Sequence, residues 1–343
     1  MQELRNQVIC GDSVEVLRAV DEPFADLVFA DPPFNIGYKY DRYHDRKKSD
    51  IYLAWTRDWI EQCVRVLKPY GSFYIAIGDE YAAQIKLIGE QEFGLTLRNW
   101  IIWHYTFGQQ TKTKFARSHT HIFYFVKDPR NFAFNDEIVR VVSDRQKKYS
   151  DKRANPAGKM PDDVWNEYPR ICGTFRERTG HPCQMPEGLL ARIIRASSNE
   201  GDWVLDPFCG SGTTATVAHK LNRVYTTIDM SEVYVEATRE RIAEAQGLPL
   251  EDGDLSDWPA HVDDEIRWLY SENKVPVHQL RRDPMLLSLF ADKLNQRVRR
   301  AEPYTTAEVK ARLLELDRTA KLSPLDKAGG KPVEPAGLFA DDE

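Results

Sequence analysis

Short apolar runs alternate along the chain with stretches whose apolar residues recur at helical spacing. Gln7-Val8-Ile9-Cys10 reads as a strand and Ser13 to Val20 as a short helix. Asp26-Leu27-Val28-Phe29-Ala30 is continuously apolar after its first residue, as a strand covered on both faces would be. From Ser49 to Leu67, Ile51, Leu53, Trp55, Trp59, Cys63 and Val66 fall at helical spacing, and the pattern stops before Lys68-Pro69-Tyr70-Gly71. Ser72 to Ile77 reads as a strand, Glu80 to Gly89 as a helix, and Leu97 to Tyr105 and His121 to Val126 as β-rich runs. After a gap the alternation resumes: helix Pro186 to Ala196, strand Trp203 to Leu205, helix Thr213 to Leu221, strand Val224 to Ile228 and helix Ser231 to Ala245. This order predicts an α/β fold with a mostly parallel sheet wrapped by helices.

Two regions break the pattern. Residues 127–180 are polar, basic and interrupted by Pro129, Pro156, Gly158, Pro161 and Pro169. A long stretch without its own periodicity inside a compact domain is usually functional or disordered. Beyond residue 247 the strand signal ends. Asp283-Pro284 opens an amphipathic helix with Leu286, Leu287, Phe290, Leu294 and Val298 on one face. Thr305 and Glu308 form a capping box before Val309, Leu313 and Leu316. The expected organisation is a catalytic domain over 1–247 with 127–180 inserted, a helical appendage over 250–320, and a disordered Pro- and Gly-rich tail over 321–343.

Composition narrows the class. Five cysteines without a CxxC pair argue against a disulfide framework and a four-cysteine zinc site. Neither a secretory leader nor an apolar run of membrane length is visible, so a cytoplasmic protein is expected. The net charge of −6 does not suggest a polyanion partner. Its distribution does: residues 111–180 hold 15 Lys/Arg against 9 Asp/Glu, whereas every other stretch is net acidic.

Two loops carry candidate chemistry, each where a predicted strand ends. Asp206-Pro207-Phe208-Cys209-Gly210-Ser211-Gly212-Thr213-Thr214 has glycines that let backbone turn tightly beside a ligand, and its threonines open a helix. Gly212 stands where a phosphate-binding loop needs lysine, and the dinucleotide spacing is absent. Asp229 ends the next strand, where an acid can accept hydrogen bonds from ribose hydroxyls. Asp12, after the first strand, is a further carboxylate or simply a helix cap. The set fits an adenosine-containing ligand without a pyrophosphate, with S-adenosylmethionine the leading candidate.

The other loop, Asp31-Pro32-Pro33-Phe34, suits a planar amine. The Asp31 carboxylate and the Pro32 carbonyl can each accept an N–H from an exocyclic amino group, turning the nitrogen towards tetrahedral geometry and freeing its lone pair. Two prolines restrict the backbone that presents these acceptors, and Phe34 offers a flat face to a base. Taken together, the two loops point to methyl transfer onto the amino group of a DNA base.

On these motifs the chain resembles the β class of DNA amino-methyltransferases, which modify N6 of adenine or N4 of cytosine. The amine-holding motif comes first, the cofactor motif follows about 170 residues later, and the resemblance covers roughly residues 5–245. His181-Pro182-Cys183-Gln184-Met185-Pro186 resembles a family segment lining the methionine end of the cofactor, with Met185 in place of the usual lysine. Through it the resemblance adds His181, Gln184 and Pro186 to the cofactor set. Asn35-Ile36-Gly37-Tyr38, Gly158 to Trp165 and Ile228-Asp229 through Tyr234 are also similar to family segments.

The resemblance implies a seven-stranded methyltransferase sheet in which the strand ending at Asp31 neighbours the strand ending at Leu205. It implies an S-adenosylmethionine-dependent, adenine-N6-specific enzyme acting on a flipped base in double-stranded DNA. A cognate restriction endonuclease and a homodimer are further expected partners. N4 of cytosine is the nearest alternative target; a DNA-binding relative without catalysis and an enzyme for RNA or protein amines are the others. Lys112, Lys114, Arg117, Arg145, Lys147, Lys148, Lys152 and Arg153 are the candidate DNA contacts. Arg281, Arg282, Arg297, Arg299 and Arg300 are alternative contacts from the appendage. Gly337-Leu338-Phe339 reads as tail or docking peptide, and His104, His119 and His121 are read as structural.

Overall fold

The computed structural model describes residues 2–106, 111–149, 151, 153–171, 177–181, 183–246, 258–298, 300 and 302–322. In chain order the elements are β1 (Gln7–Cys10), α1 (Ser13–Arg18), β2 (Ala25–Ala30), α2 (Ser49–Val66), β3 (Leu67–Ile77), α3 (Ala82–Leu87), β4 (Thr96–His104), β5 (His119–Val126), α4 (Asp136–Val139), α5 (Asp144–Tyr149), β6 (Val164–Trp165), α6 (Glu187–Ser197), β7 (Trp203–Asp206), α7 (Thr213–Lys220), β8 (Val224–Asp229), α8 (Glu232–Gln246), α9 (Ala260–Asn273), α10 (Val277–Arg282), α11 (Pro284–Val298) and α12 (Thr306–Arg318).

The strands form one sheet in the order β1-β8-β7-β2-β3-β5-β4-β6. β5 alone runs against the rest. β2 explains why its sequence is so uniformly apolar. Leu27 and Phe29 join the core under α6, α7 and α8, while Val28 and Ala30 join the core under α1 and α2. A two-residue period on a strand covered from both sides leaves no polar position along that run.

Four expectations are corrected. The sheet has eight strands, because β6, from the segment read as irregular, adds to the edge beside β4. That segment also contains α4 and α5. The helix expected over 80–89 is confined to α3 and gives way to a wider turn at Ile88–Glu92. Pro186 lies just ahead of α6, at its N-cap.

α9 to α12 pack around a third core that includes Val142 of the inserted segment. Lys293 donates to the carbonyls of Arg140 and Ala157, and Asn273 accepts from the Val142 N–H at 2.7 Å. Arg195 pairs with Glu265, joining this core to α6. Arg297, read as a DNA contact, is buried instead against Glu272 at 2.6 Å. Arg299 and Gly337-Leu338-Phe339 lie outside the described residues, as does the tail from 323 onward.

Candidate active site

β2 and β7 are hydrogen-bonded neighbours, with Val28 beside Leu205. From β2 the chain moves through α2 to β3 on one side; from β7 it moves through α7 to β8 on the other. Such a reversal leaves a crevice at the carboxyl ends of the strands. A cavity of about 530 Å³ opens there, within the usual range for small-molecule sites. Asp31, Pro32, Pro33 and Phe34 line it from β2, and Asp206, Phe208, Gly210, Ser211, Thr213 and Thr214 from β7. Asp12, Asp229, His181 and Gln184 complete the predicted set that borders it, whereas Pro186 and Gly212 do not. Pro182 lies outside the described residues.

The loop after β2 is shaped by one buried acid. Asp45 accepts the backbone N–H groups of Asn35 at 2.7 Å, Ile36 at 3.1 Å and Tyr38 at 2.9 Å. Asn35 sits at φ +61° and exchanges hydrogen bonds with the backbone of Lys47. The Tyr52 hydroxyl donates to the Pro33 carbonyl at 2.7 Å. Phe34 lies against Gly78, where a Cβ would come within 3.2 Å of its ring. Among the described residues no donor reaches the Asp31 carboxyl or the Pro32 carbonyl, so both acceptors remain free for a ligand.

Burial, reinforced by the neighbouring Asp206, pushes the Asp31 carboxyl up to about 8. Burial likewise raises Asp206 to about 7, against the pull of hydrogen bonds from Thr214 and the Phe208 N–H. Buried carboxyl groups raised in this way, Asp31 by Asp206 and Asp206 by Asp229, favour a cationic ligand. A carboxyl held above its unfolded value of 3.8 keeps its proton in the folded chain while the unfolded chain has lost it. Its contribution is therefore fully present below pH 4 and is lost as pH rises towards about 8. Asp31→Asn removes that loss, so ligand-free Asp31→Asn should melt about 3 °C or more above wild type at pH 8 and close to it at pH 4. Thermal melts at the two pH values check this; equal offsets at both would contradict it.

The loop after β7 is a close-packed turn. Gly210 and Gly212 have φ +51° and +71°. A Cβ on Gly212 would strike Thr238 at 2.5 Å, so this glycine packs helix on loop behind the cavity wall. A Cβ on Gly210 would come within 3.2 Å of the His181 ring. Burial lowers His181 to about 4, so a neutral imidazole faces the turn. It accepts the Cys183 N–H on Nδ1, which places its proton on Nε2.

Several assigned roles change on contact with the geometry. The sequence reads Asp229 as an acid able to accept hydrogen bonds from ribose hydroxyls. In the fold one oxygen accepts the Gly210 N–H at 2.8 Å and the other the Ser231 N–H at 2.9 Å, so its first task is to fix the turn. Asp12 caps α1 through Oδ1, which accepts from Val14 and Glu15, and the residue also borders the cavity. The Gln184 carboxamide is used on Thr179 and the Glu177 carbonyl, so it braces the loop ahead of α6. Met185, in the place of the usual lysine, is buried.

The basic candidates separate. Lys114 and Arg117 border the cavity and Lys112 is exposed beside them. Arg145 is exposed on α5. Lys148 pairs with Asp144 at 3.2 Å and Arg153 with Asp151 at 3.0 Å. Lys147 is half-buried and burial lowers its pKa. Lys152 lies outside the described residues.

Sequence reading missed Asp45 and the part that Tyr40, Tyr43, Trp55 and Tyr105 play in an aromatic wall completed by Tyr38 and Tyr234. The close spacing of three tyrosines just after the Asp31 motif was the available signal. His119 and His121, read as structural, join a charged cluster beside the cavity. Both face Asp79, at 3.1 and 2.9 Å, and Arg117 shares that carboxylate at 3.0 Å. The Trp100 indole donates to His121 Nδ1, so the proton sits on Nε2 and points at Asp79. That tautomer and the arginine use up the carboxylate as an anchor for Arg117 and leave His121 Nε2 unsuited to a metal.

A family model described as DNA methylase, of the N6/N4 methyltransferase kind, matches residues 25–240. Type II methyltransferase M.HpaI of Haemophilus parainfluenzae is 37% identical over 261 residues, covering 76% of this chain and 82% of that protein. DNA adenine methyltransferase YhdJ of Escherichia coli K12 is 37% identical over 243 residues, covering 68% and 82%. Among solved structures, the cytosine-N4-specific PvuII DNA methyltransferase aligns with a TM-score of 0.56 at 20% identity, over 78% of this chain and 93% of that one. A DNA modification methylase of Thermus thermophilus, complexed with S-adenosyl-L-methionine, aligns at 0.52 and 23% identity, over 70% and 93%. These two likenesses show the fold.

Proposed function

The chain belongs to the N6/N4 DNA methylase family, and from that premise we infer that it transfers a methyl group from S-adenosylmethionine to N6 of adenine in double-stranded DNA. The observation that carries this reading is the opening of the Asp31 and Gly210 loops into one cavity, with the Asp31 carboxyl and Pro32 carbonyl unpaired among the described residues. The lining suits the cofactor: Asp31 and Asp206 favour a cation, and the neutral His181 does not oppose one. Bound there, S-adenosylmethionine supplies a methyl group activated on a sulfonium.

The chain's own residues do the rest. Asp31 and Pro32 accept the two amine N–H groups and hold the nitrogen in line, while Phe34 and the tyrosine wall take the base by its faces. In its ionised form, which the cofactor's positive charge favours, the Asp31 carboxyl can also take the proton that leaves the nitrogen. Gly210, Ser211, Thr213, Thr214, Asp12 and the free lone pairs of Asp229 form the cofactor side. We assign target recognition to the inserted segment and the appendage together, since they share one core. The bacterial type II relatives support a cognate endonuclease as partner.

Mass analysis of nucleosides from unmodified DNA, incubated with the chain and cofactor, should show N6-methyladenine. N4-methylcytosine alone would move the target to cytosine, and unmethylated DNA would contradict the reading.

A further inference from the structure

Phe115 is 99% exposed, against 76% for Tyr149, the next most exposed large hydrophobic residue among those described. Scattered exposed apolar residues are ordinary. The setting of this one is not. Its neighbour Lys114 borders the cavity, as do Thr111 and Arg117. A local turn closes the loop at one side, where the Thr111 hydroxyl donates to the Lys114 carbonyl, and Arg117 is anchored to the fold by Asp79 and Glu80 at the other. Phe115 stands between these two fixings with no ring packed against it among the described residues. A solitary aromatic ring is thus presented to solvent between the cavity-lining residues Lys114 and Arg117, with Lys112 close by in the chain.

We propose that Phe115 is the wedge that enters the duplex and fills the gap left by the extruded target base. The proposal rests on the DNA methyltransferase reading above. A base leaves the stack only if its lost stacking is compensated, and an inserted apolar ring does that without reading sequence. Lys112 and Lys114 meet the phosphates beside the gap while the anchored Arg117 steadies the loop, holding the ring at the step being opened. Phe115 acts on the duplex and touches neither the amine nor the methyl donor, so it is a positioning residue. The same exposure would suit contact with a second copy of the chain, which the test also resolves.

The experiment compares wild type, Phe115→Ala and Phe115→Leu on two duplexes bearing the methylated site, once mapped in plasmid DNA. In one the target adenine is paired with thymine; in the other it faces an abasic position. Phe115→Ala should lower kcat on the paired duplex about tenfold or more and stay within about threefold of wild type on the abasic duplex. Phe115→Leu should recover most of the loss. With 2-aminopurine at the target position, wild type should give the fluorescence rise of an unstacked base and Phe115→Ala should not. Cofactor affinity serves as the control for folding. Equal losses on both duplexes, no loss on either, or a loss that tracks dimer dissociation would each overturn the wedge. If wild type methylates neither duplex nor plasmid, the underlying reading falls as well, so the two failures are distinguishable.

Discussion

Asp31→Ala should lower kcat for methyl transfer by about three orders of magnitude or more while S-adenosylmethionine binds within about tenfold of its normal affinity. The carboxyl has no hydrogen-bond donor among the described residues, so the substitution breaks no internal contact. What it removes is one of the two acceptors that reshape the amine. The Pro32 carbonyl alone can orient one N–H but cannot draw both away from the ring plane. The alternative role for Asp31 is to hold the cofactor's positive charge. That role predicts a weaker cofactor complex and a normal kcat once the cofactor saturates. Titrating the cofactor and measuring single-turnover rates at saturation separates the two, and a preserved rate would remove Asp31 from the chemistry.

Asp45→Ala should be almost as damaging, though Asp45 does not border the cavity. It is 2% exposed and carries three backbone N–H groups from the loop that follows Phe34. Hydrogen bonds to a charged acceptor contribute about 1.5–3 kcal/mol each, and buried donors left unpaired cost a similar amount. Water entering the vacated space recovers part of this, so the expected loss is about 2–4 kcal/mol of stability. With the loop released, kcat should fall about a hundredfold, because a displacement of about 1 Å is enough for that. Asp45→Asn should recover little: its amide nitrogen cannot accept, so one side of the three-bond cluster is lost. Denaturant unfolding and single-turnover rates measure the two effects. Unchanged loop function after full loss of the carboxylate would show that the prolines and Tyr52 suffice.

The elements near the site were legible because they obey local rules. β2 declares itself by the unbroken apolar run from Leu27 to Ala30, and α2 by its helical period. The two motifs fall at strand ends because glycine and proline punctuate the sequence there. The missing parts depend on distant partners. β6 has only two residues, too few for any period, and exists because β4 offers it an edge. α9 falls in the expected helical appendage but was not delimited there, because Asp263, Glu265 and Glu272 occupy buried positions that a pattern reader assigns to solvent. Arg312, Arg195 and Arg297 neutralise them from other elements. The same reasoning moved Arg297 from the DNA contacts to the core.

Asp45 was invisible for a related reason. It is an acid in a loop eleven residues after Phe34, with nothing in its neighbours to mark it. Its role is defined by three amide groups converging on it, which is a property of the folded loop. Asp229 shows the opposite case: its position at a strand end was legible, but its immediate partners are the Gly210 and Ser231 amides. Sequence placed the acid and the fold decided what it holds first.

The central claim is that the Asp31 loop presents an adenine amine to a methyl donor held by the Gly210 turn. A structure of the full chain with S-adenosylhomocysteine and a duplex containing its mapped site tests this most directly. The account predicts the target adenine outside the stack, with N6 about 2.8–3.2 Å from both an Asp31 carboxyl oxygen and the Pro32 carbonyl, and with the sulfur on the Gly210 side. A bound duplex whose target amine meets neither acceptor, or a cofactor lodged away from the Gly210 turn, would contradict it.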